Sequence, residues 1–264
     1  MKPTPDGPAP TAAIAGDFFA LLARHRSVAP AAVTTTSASP EQTQATTVFA
    51  FHYRDGVLMA GDRRATAGNV IVTDRVDKVL ELDATSLLAV AGVPAMAFEI
   101  ARVLRTSFEY YRRSQLQPLS LPARVRALSR CLRDNLALTL QGVGLVAPLF
   151  VGLDASASPG RPQIFFCDPL GAEFDAVAFA ASGSGATTIR SILSFQQRFG
   201  TPPPAELPLA AAGRFAHQLL MVASEFDAAT GGVAPEAARF ATIKTLTSDG
   251  VRTVTDAEQA GWLA

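Results

Sequence analysis

The sequence predicts an α+β fold: two antiparallel sheets face to face, with a pair of helices on each outer side. Three observations lead there. The composition shifts near residue 45; the hydrophobic period switches between strand-like and helix-like in blocks; and the blocks run strands, two helices, strands, two helices, strands. Segregated blocks of this kind favour α+β layering over alternating βαβ units, and stacking two sheets between two helix pairs buries all of them.

The elements follow in order. Residues 1–45 read as an extension, because six of the 18 prolines fall there and 29–47 is mostly Ala, Thr, Ser, Pro and Gln. Such a stretch cannot bury enough apolar surface to offset its ordering entropy, so it is expected to be largely disordered. Only Phe18–Arg26, with Phe18, Phe19, Leu21 and Leu22, reads as a short amphipathic helix. The compact domain is 46–264. Val48–Tyr53 and Val57–Ala60 flank Arg54-Asp55-Gly56, a hairpin signal. Val70–Thr73, Lys78–Leu82 and Leu87–Val90 continue the strands. Pro94–Gln115 and Leu121–Gln141 carry the helical period, with Pro94 suited to a first turn and Gln117-Pro118-Leu119 between them. Strand patterns return at Ala147–Leu153, Gln163–Cys167 and Ala176–Ala180. Helical ones follow at Thr187–Arg198 and Pro208–Ala229, and Phe240–Leu246 and Val251–Val254 close the chain about Ser248-Asp249-Gly250.

Composition excludes several functions. The chain has 264 residues, 48% hydrophobic and 17% charged, with Lys+Arg 23 balancing Asp+Glu 23. That balance argues against nucleic acid or acidic lipid as a partner drawn by overall charge. Cys131 and Cys167 make neither a disulfide framework nor a zinc spacing, and three histidines argue against a clustered metal site. No apolar stretch reaches the ~20 residues a spanning helix needs. Asp6 and Asp17 spoil an export signal, so a cytoplasmic location is expected, with no membrane association.

Five motifs carry polar groups at element ends, each with a plain structural reading beside the chemical one. Lys78, in an apolar run, reads on composition as an edge lysine pointing to water; buried, it would need a carboxylate. Asp62, in Gly61-Asp62-Arg63-Arg64-Ala65-Thr66, reads as a turn residue or as that counter-ion. Ser182-Gly183-Ser184-Gly185 is a tight connection or a source of N–H groups and hydroxyls; it matches no phosphate loop. Asp227 and Thr230, before Gly231-Gly232, are a helix stop, or carry a carboxylate and a hydroxyl three residues apart. Thr46-Thr47 is ordinary strand entry unless the extension is cleaved, when one threonine gains a free α-amine beside its hydroxyl.

Together these pieces resemble the proteasome β subunits, particularly the actinobacterial type. Thr46-Thr47, Gly61 to Thr66, Asp77-Lys78-Val79, Ala91-Gly92, Gly183-Ser184-Gly185 and Asp227-x-x-Thr230-Gly231-Gly232 occur in that family's order with near-family spacing, from Thr46 to about Val254. The resemblance implies the four-layer αββα sandwich of N-terminal-nucleophile hydrolases and a threonine endopeptidase made as a precursor. Residues 1–45 would be the propeptide, cut autocatalytically between Ala45 and Thr46. Thr46 would be the nucleophile, with its own α-amine as base. Lys78 and Asp62 would tune the hydroxyl, or Lys78 would relay the proton. Ser184, Asp227 and Thr230 would hold the amine and a water, and the Gly92 N–H would receive the oxyanion. Ala65, Thr66, Val76, Leu80, Val90, Pro94 and Phe98 would bind substrate; the pocket-lining ones are uncharged, which implies cleavage after apolar residues. No histidine falls in these motifs, and a nucleophile that carries its own base needs none.

The resemblance also implies partners: a ring of seven identical β subunits, α subunits completing a four-ring core of 28, a ring ATPase, and tagged, unfolded protein substrates. It implies no metal or organic cofactor. Three departures stand out: Ala45 where Gly is common, Thr230 where Ser is common, which keeps a hydroxyl, and Ala186 where Ser is common. The alternatives are a structural ring subunit that does not cut, though Thr46, Asp62 and Lys78 are all present, and a two-ring threonine peptidase driven by an unfoldase, whose Gly-Asp motif usually continues Gly-Gln.

Overall fold

Alternation along the strands decides which core each residue enters, and the cores place the site. The computed structural model describes residue 18 and residues 46–67, 70–154, 160–175 and 177–263. The expected extension, and all of the expected Phe18–Arg26 helix except Phe18, lie outside the described residues.

The chain forms an α+β fold with two five-stranded sheets. The first has the order β10-β1-β2-β11-β12: β1 is Thr47–Tyr53, β2 Gly56–Gly61, β10 Phe179–Gly183, β11 Thr242–Thr247 and β12 Gly250–Thr253. The second runs β5-β6-β7-β8-β9, from Val79–Asp83, Ser86–Ala89, Leu149–Gly152 and Gln163–Cys167 to Glu173–Phe174. A hairpin of β3, Ala65–Ala67, and β4, Val70–Thr73, stands apart. All strand pairs are antiparallel. The helices are α1 Pro94–Gln115, α2 Leu121–Asp134, α3 Leu136–Leu140, α4 Ala186–Phe199, α5 Leu209–Phe226 and α6 Asp256–Leu263.

Side chains alternate across a strand. On β1, Val48 and Ala50 enter a core shared with Leu87, Ala89, Leu149 and Val151 of the second sheet. Phe49 and Phe51 point the other way, onto Ile189 and Leu193 of α4 and Ala216, Leu219 and Leu220 of α5. The second sheet gives its outer side, including Leu88, Phe150 and Phe165, to Ile100, Leu104 and Phe108 of α1 and Val125, Leu128 and Leu132 of α2. Strands buried on both faces read as continuous apolar runs. Each fully buried large side chain contributes about 1.5–3 kcal/mol.

Several boundaries differ from the sequence expectation. The helix expected over Leu121–Gln141 breaks at Asn135, which adopts φ −90°, ψ 0° and donates from Nδ2 to the Gly144 oxygen at 2.6 Å. A short amide side chain competes with the helix for backbone partners, and here it wins. The strand expected at Ala176–Ala180 lies at Phe179–Gly183, so Ser182 and Gly183 belong to a strand, not to a connecting turn. The 208–229 helix is shorter at both ends, and the last two strands begin at Thr242 and Gly250. β3, β9 and α6 were not foreseen. Their signals are short, but α6 has one: Thr255 and Glu258 bond each other's backbone N–H groups as a capping box. Among the described residues, no helix is long and apolar enough to cross a membrane.

Candidate active site

β1 runs between β10 and β2, and its N-terminal end is gripped from both sides. Thr47 pairs with Gly183 and Val48 with Gly61. The Asp62 N–H donates to the Thr47 oxygen, and the Ser184 N–H to the Thr46 oxygen, each at 3.1 Å. A Cβ on Gly183, whose φ is +99°, would lie 1.6 Å from the Thr46 oxygen, so only glycine permits this approach.

The chain leaves β2 at Asp62, which is buried. Its Oδ1 accepts from the Thr47 N–H at 2.9 Å and the Lys78 Nζ at 2.7 Å. Its Oδ2 accepts from the Arg64 N–H at 3.0 Å and the Gly231 N–H at 2.9 Å. Lys78, just before β5, keeps 3% of its side chain exposed, against 0% for Asp62. The reading of Lys78 as an edge lysine in water is therefore corrected, since its position under the β2 end makes a buried ion pair. Burial pulls the Lys78 ammonium below the usual lysine range and the Arg64 charge adds to this, while the charge and hydrogen bond of Asp62 oppose it.

A second set of groups meets beside the first. Thr230 Oγ1 donates to Asp227 Oδ2 at 2.5 Å and lies 2.6 Å from Thr47 Oγ1. Because the Thr230 hydrogen is committed to the carboxylate, the Thr47 hydroxyl donates to Thr230 while accepting the Gly185 N–H at 3.0 Å. Burial works to raise the Asp227 carboxyl, but hydrogen bonds from Ser184, Thr230 and the Ala229 N–H outweigh it and hold the group below its ordinary value. Ser184, Asp227 and Thr230 are thus brought together, and their bridge into the first set is Thr47, which links Asp62 to Thr230. Sequence reasoning gave Thr47 no role; the only signal was the doubled threonine itself.

Thr46, Lys78 and Gly92 line one narrow pocket with Ala65, Val76, Val90, Pro94, Ala97 and Phe98. Leu80 and Thr66 do not line it: Leu80 packs against the core under α1, and Thr66 is buried in β3. Ala97 was missed although it lies three residues after Pro94 on the same helix face. Gly92 has φ +116° and pairs with Val146 in an isolated antiparallel bridge. Ala45 lies outside the described residues. The arrangement brings Thr46, the ion-paired Lys78 and Gly92 to the wall of one largely apolar space. That set can attack a carbonyl and stabilise the oxyanion that forms.

A model of the family described as "Proteasome subunit" matches residues 42–233. The chain is 39% identical to "Proteasome subunit beta 2" of Thermomonospora curvata over 84% of its own length and 76% of that protein. It is 36% identical to "Proteasome subunit beta" of Acidimicrobium ferrooxidans, covering 91% and 85% of the two chains. Against the protein of the same name from Stackebrandtia nassauensis the identity is 37%, over 81% and 75%.

Proposed function

The chain belongs to the proteasome subunit family, and we propose that it is a catalytic β subunit of the core particle, a threonine endopeptidase with Thr46 as nucleophile. The observation that carries this reading is the meeting of Thr46, Lys78 and Gly92 in one pocket, with the Lys78 charge held by Asp62 at 2.7 Å. The three apolar cores, one between the sheets and one under each helix pair, support the four-layer αββα sandwich of N-terminal-nucleophile hydrolases.

Residues 1–45 act as a propeptide. The Thr46 hydroxyl attacks the Ala45 carbonyl and the acyl group moves from nitrogen to oxygen, which breaks the C–N bond and frees the Thr46 α-amine; water then hydrolyses the ester, releasing the 1–45 acid and restoring the hydroxyl. In the mature subunit that amine, with a reference pKa of about 7.7–8.0, takes the hydroxyl proton as Oγ1 attacks a substrate carbonyl. Lys78 favours the developing alkoxide, and the Gly92 N–H donates to the oxyanion. The proton then passes to the departing amine of the substrate, leaving an ester on Thr46. Water cleaves the ester, releasing the acid and restoring the hydroxyl. Ser184, Asp227 and Thr230, tied to Thr47, hold the amine end and a water. The apolar walls Ala65, Val76, Val90, Pro94 and Phe98 give a preference for cleavage after apolar residues.

The subunit works in the cytoplasm as a seven-membered ring stacked with α rings, fed unfolded protein by a ring ATPase. Intact mass of the chain co-assembled with a cognate α subunit tests the reading. The wild type is expected to begin at Thr46 and to cut peptides after Leu, Phe or Tyr faster than after Arg or Glu. Thr46→Ala is expected to stay joined to residue 45 and to be inactive. Full activity in Thr46→Ala, or an active wild type that begins elsewhere, overturns the assignment.

A further inference from the structure

The direction of the Gly92 N–H is set by a chain of bonds that starts on the other sheet. A trans peptide carries its C=O and N–H on opposite sides. The Ala147 N–H donates to the Ala91 oxygen at 2.8 Å, so the N–H of the Ala91–Gly92 peptide points away from the 144–147 segment. Ala147 is fixed in turn: its oxygen accepts the Ser182 hydroxyl at 2.7 Å. Ser182 lies on β10 between Ala181 and Gly183, two residues from the Ser184 N–H that holds the Thr46 oxygen. It shares a strand face with Ala180, which enters the core between the sheets, so the hydroxyl reaches across that gap.

We propose that Ser182 is a positioning residue for the oxyanion-binding peptide, an inference that rests on the peptidase reading above. One hydroxyl couples the strand that holds Thr46 to the segment that aims the Gly92 N–H, so attacking atom and oxyanion donor share one frame. The far end of the segment is held differently, by Asn135 Nδ2 on the Gly144 oxygen, and Asn135 belongs to the helical side, between α2 and α3. Ser182 is 5% exposed, so its hydroxyl does not serve solubility. An oxyanion donor acts only when aimed at the oxygen of the tetrahedral intermediate, and misplacing it costs turnover without costing substrate binding.

The test compares assembled wild type, Ser182→Ala and Ser182→Thr per titrated Thr46. For Ser182→Ala, kcat is expected to fall about 10-fold with KM within about two-fold. Affinity for a peptide aldehyde, which forms a tetrahedral adduct on Thr46, should fall by the same factor, while affinity for a product peptide acid holds. Ser182→Thr, which keeps the hydroxyl, should restore both. If Ser182→Ala does not assemble, Ser182→Cys, with its weaker donor, carries the same comparison. Unchanged kcat, a change in KM alone, or equal losses for aldehyde and product peptide overturns the role of Ser182. A wild type that forms no aldehyde adduct at Thr46 overturns the peptidase reading itself, and the positioning role with it.

Discussion

Asp62 holds the Thr47 backbone and Gly92 lines the pocket with Thr46, and the chain treats the two oppositely. The Asp62 carboxylate is saturated by four donors, three of them backbone N–H groups from separate segments and the fourth the Lys78 ammonium. At Gly92, the pairing with 144–147 spends the Val93 and Ala147 N–H groups and leaves the Gly92 N–H out. A permanent buried charge costs several kcal/mol unless its lone pairs are satisfied. A donor meant for charge that forms only during reaction has to stay unspent in the resting state. The carboxylate is therefore fully bonded, while the bridge at Gly92 leaves that residue's N–H outside its own pairing, as the proposed oxyanion role requires.

Removing the fixed charge should have the largest effect. In Asp62→Asn, one amide oxygen cannot serve both pairs of donors, its NH2 would face two of them, and the buried Lys78 ammonium loses the carboxylate it pairs with at 2.7 Å. A loss of about 3–5 kcal/mol is expected in denaturant unfolding, with peptidase activity below detection. Lys78→Met should also be inactive. It leaves Asp62 its three N–H donors, however, so its stability should fall by less than half as much. Equal losses in the two variants would mean that the backbone donors do not carry the carboxylate.

How far this contrast was legible in the sequence depends on the kind of force involved. Helix Pro94–Gln115 and strand Gln163–Cys167 were readable to the residue because period and punctuation are local. The pocket walls Val76, Val90, Pro94 and Phe98 came from the family resemblance, and the structure gathers them around Thr46. Lys78 was misread on composition alone, because whether a lysine in an apolar run meets water depends on Asp62, 16 residues away. The role of Thr47 was invisible for the same reason: its hydroxyl partners, Gly185 and Thr230, lie 138 and 183 residues along the chain. The break at Asn135 was missed because the helical pattern runs on through it, and only the Gly144 carbonyl shows what the amide does there.

At the second residue, Gly92→Ala tests whether the N–H left outside the pairing is held by conformation. The φ of +116° is strained for alanine, and the new Cβ would sit 2.1 Å from the Leu145 oxygen, so the 144–147 segment has to move. Positive φ alone costs about 1–3 kcal/mol. With the displacement added, a loss of at least about 2 kcal/mol in unfolding is expected. kcat should fall roughly 100-fold, the scale seen when one oxyanion donor is lost. If Gly92→Ala keeps wild-type kcat, the oxyanion is received elsewhere.

The smallest effect belongs to the bridge between the saturated carboxylate and the Asp227 group. Thr47→Val keeps the shape of the side chain and removes a fully buried hydroxyl that takes the Gly185 N–H and donates to Thr230. An orphaned buried donor costs on the order of 1–2 kcal/mol. The Thr47 N–H to Asp62 survives, as does the Thr230 to Asp227 bond, so kcat should fall less than about 10-fold by the same reasoning. Thr47→Ser, which retains the hydroxyl, should recover most of the lost stability. Paired denaturation curves and initial rates for the two variants separate the outcomes. If Thr47→Val were as damaging as Asp62→Asn, the hydroxyl network and the ion pair would be one cooperative unit, and the contrast between Asp62 and Gly92 would have to be redrawn around Thr47.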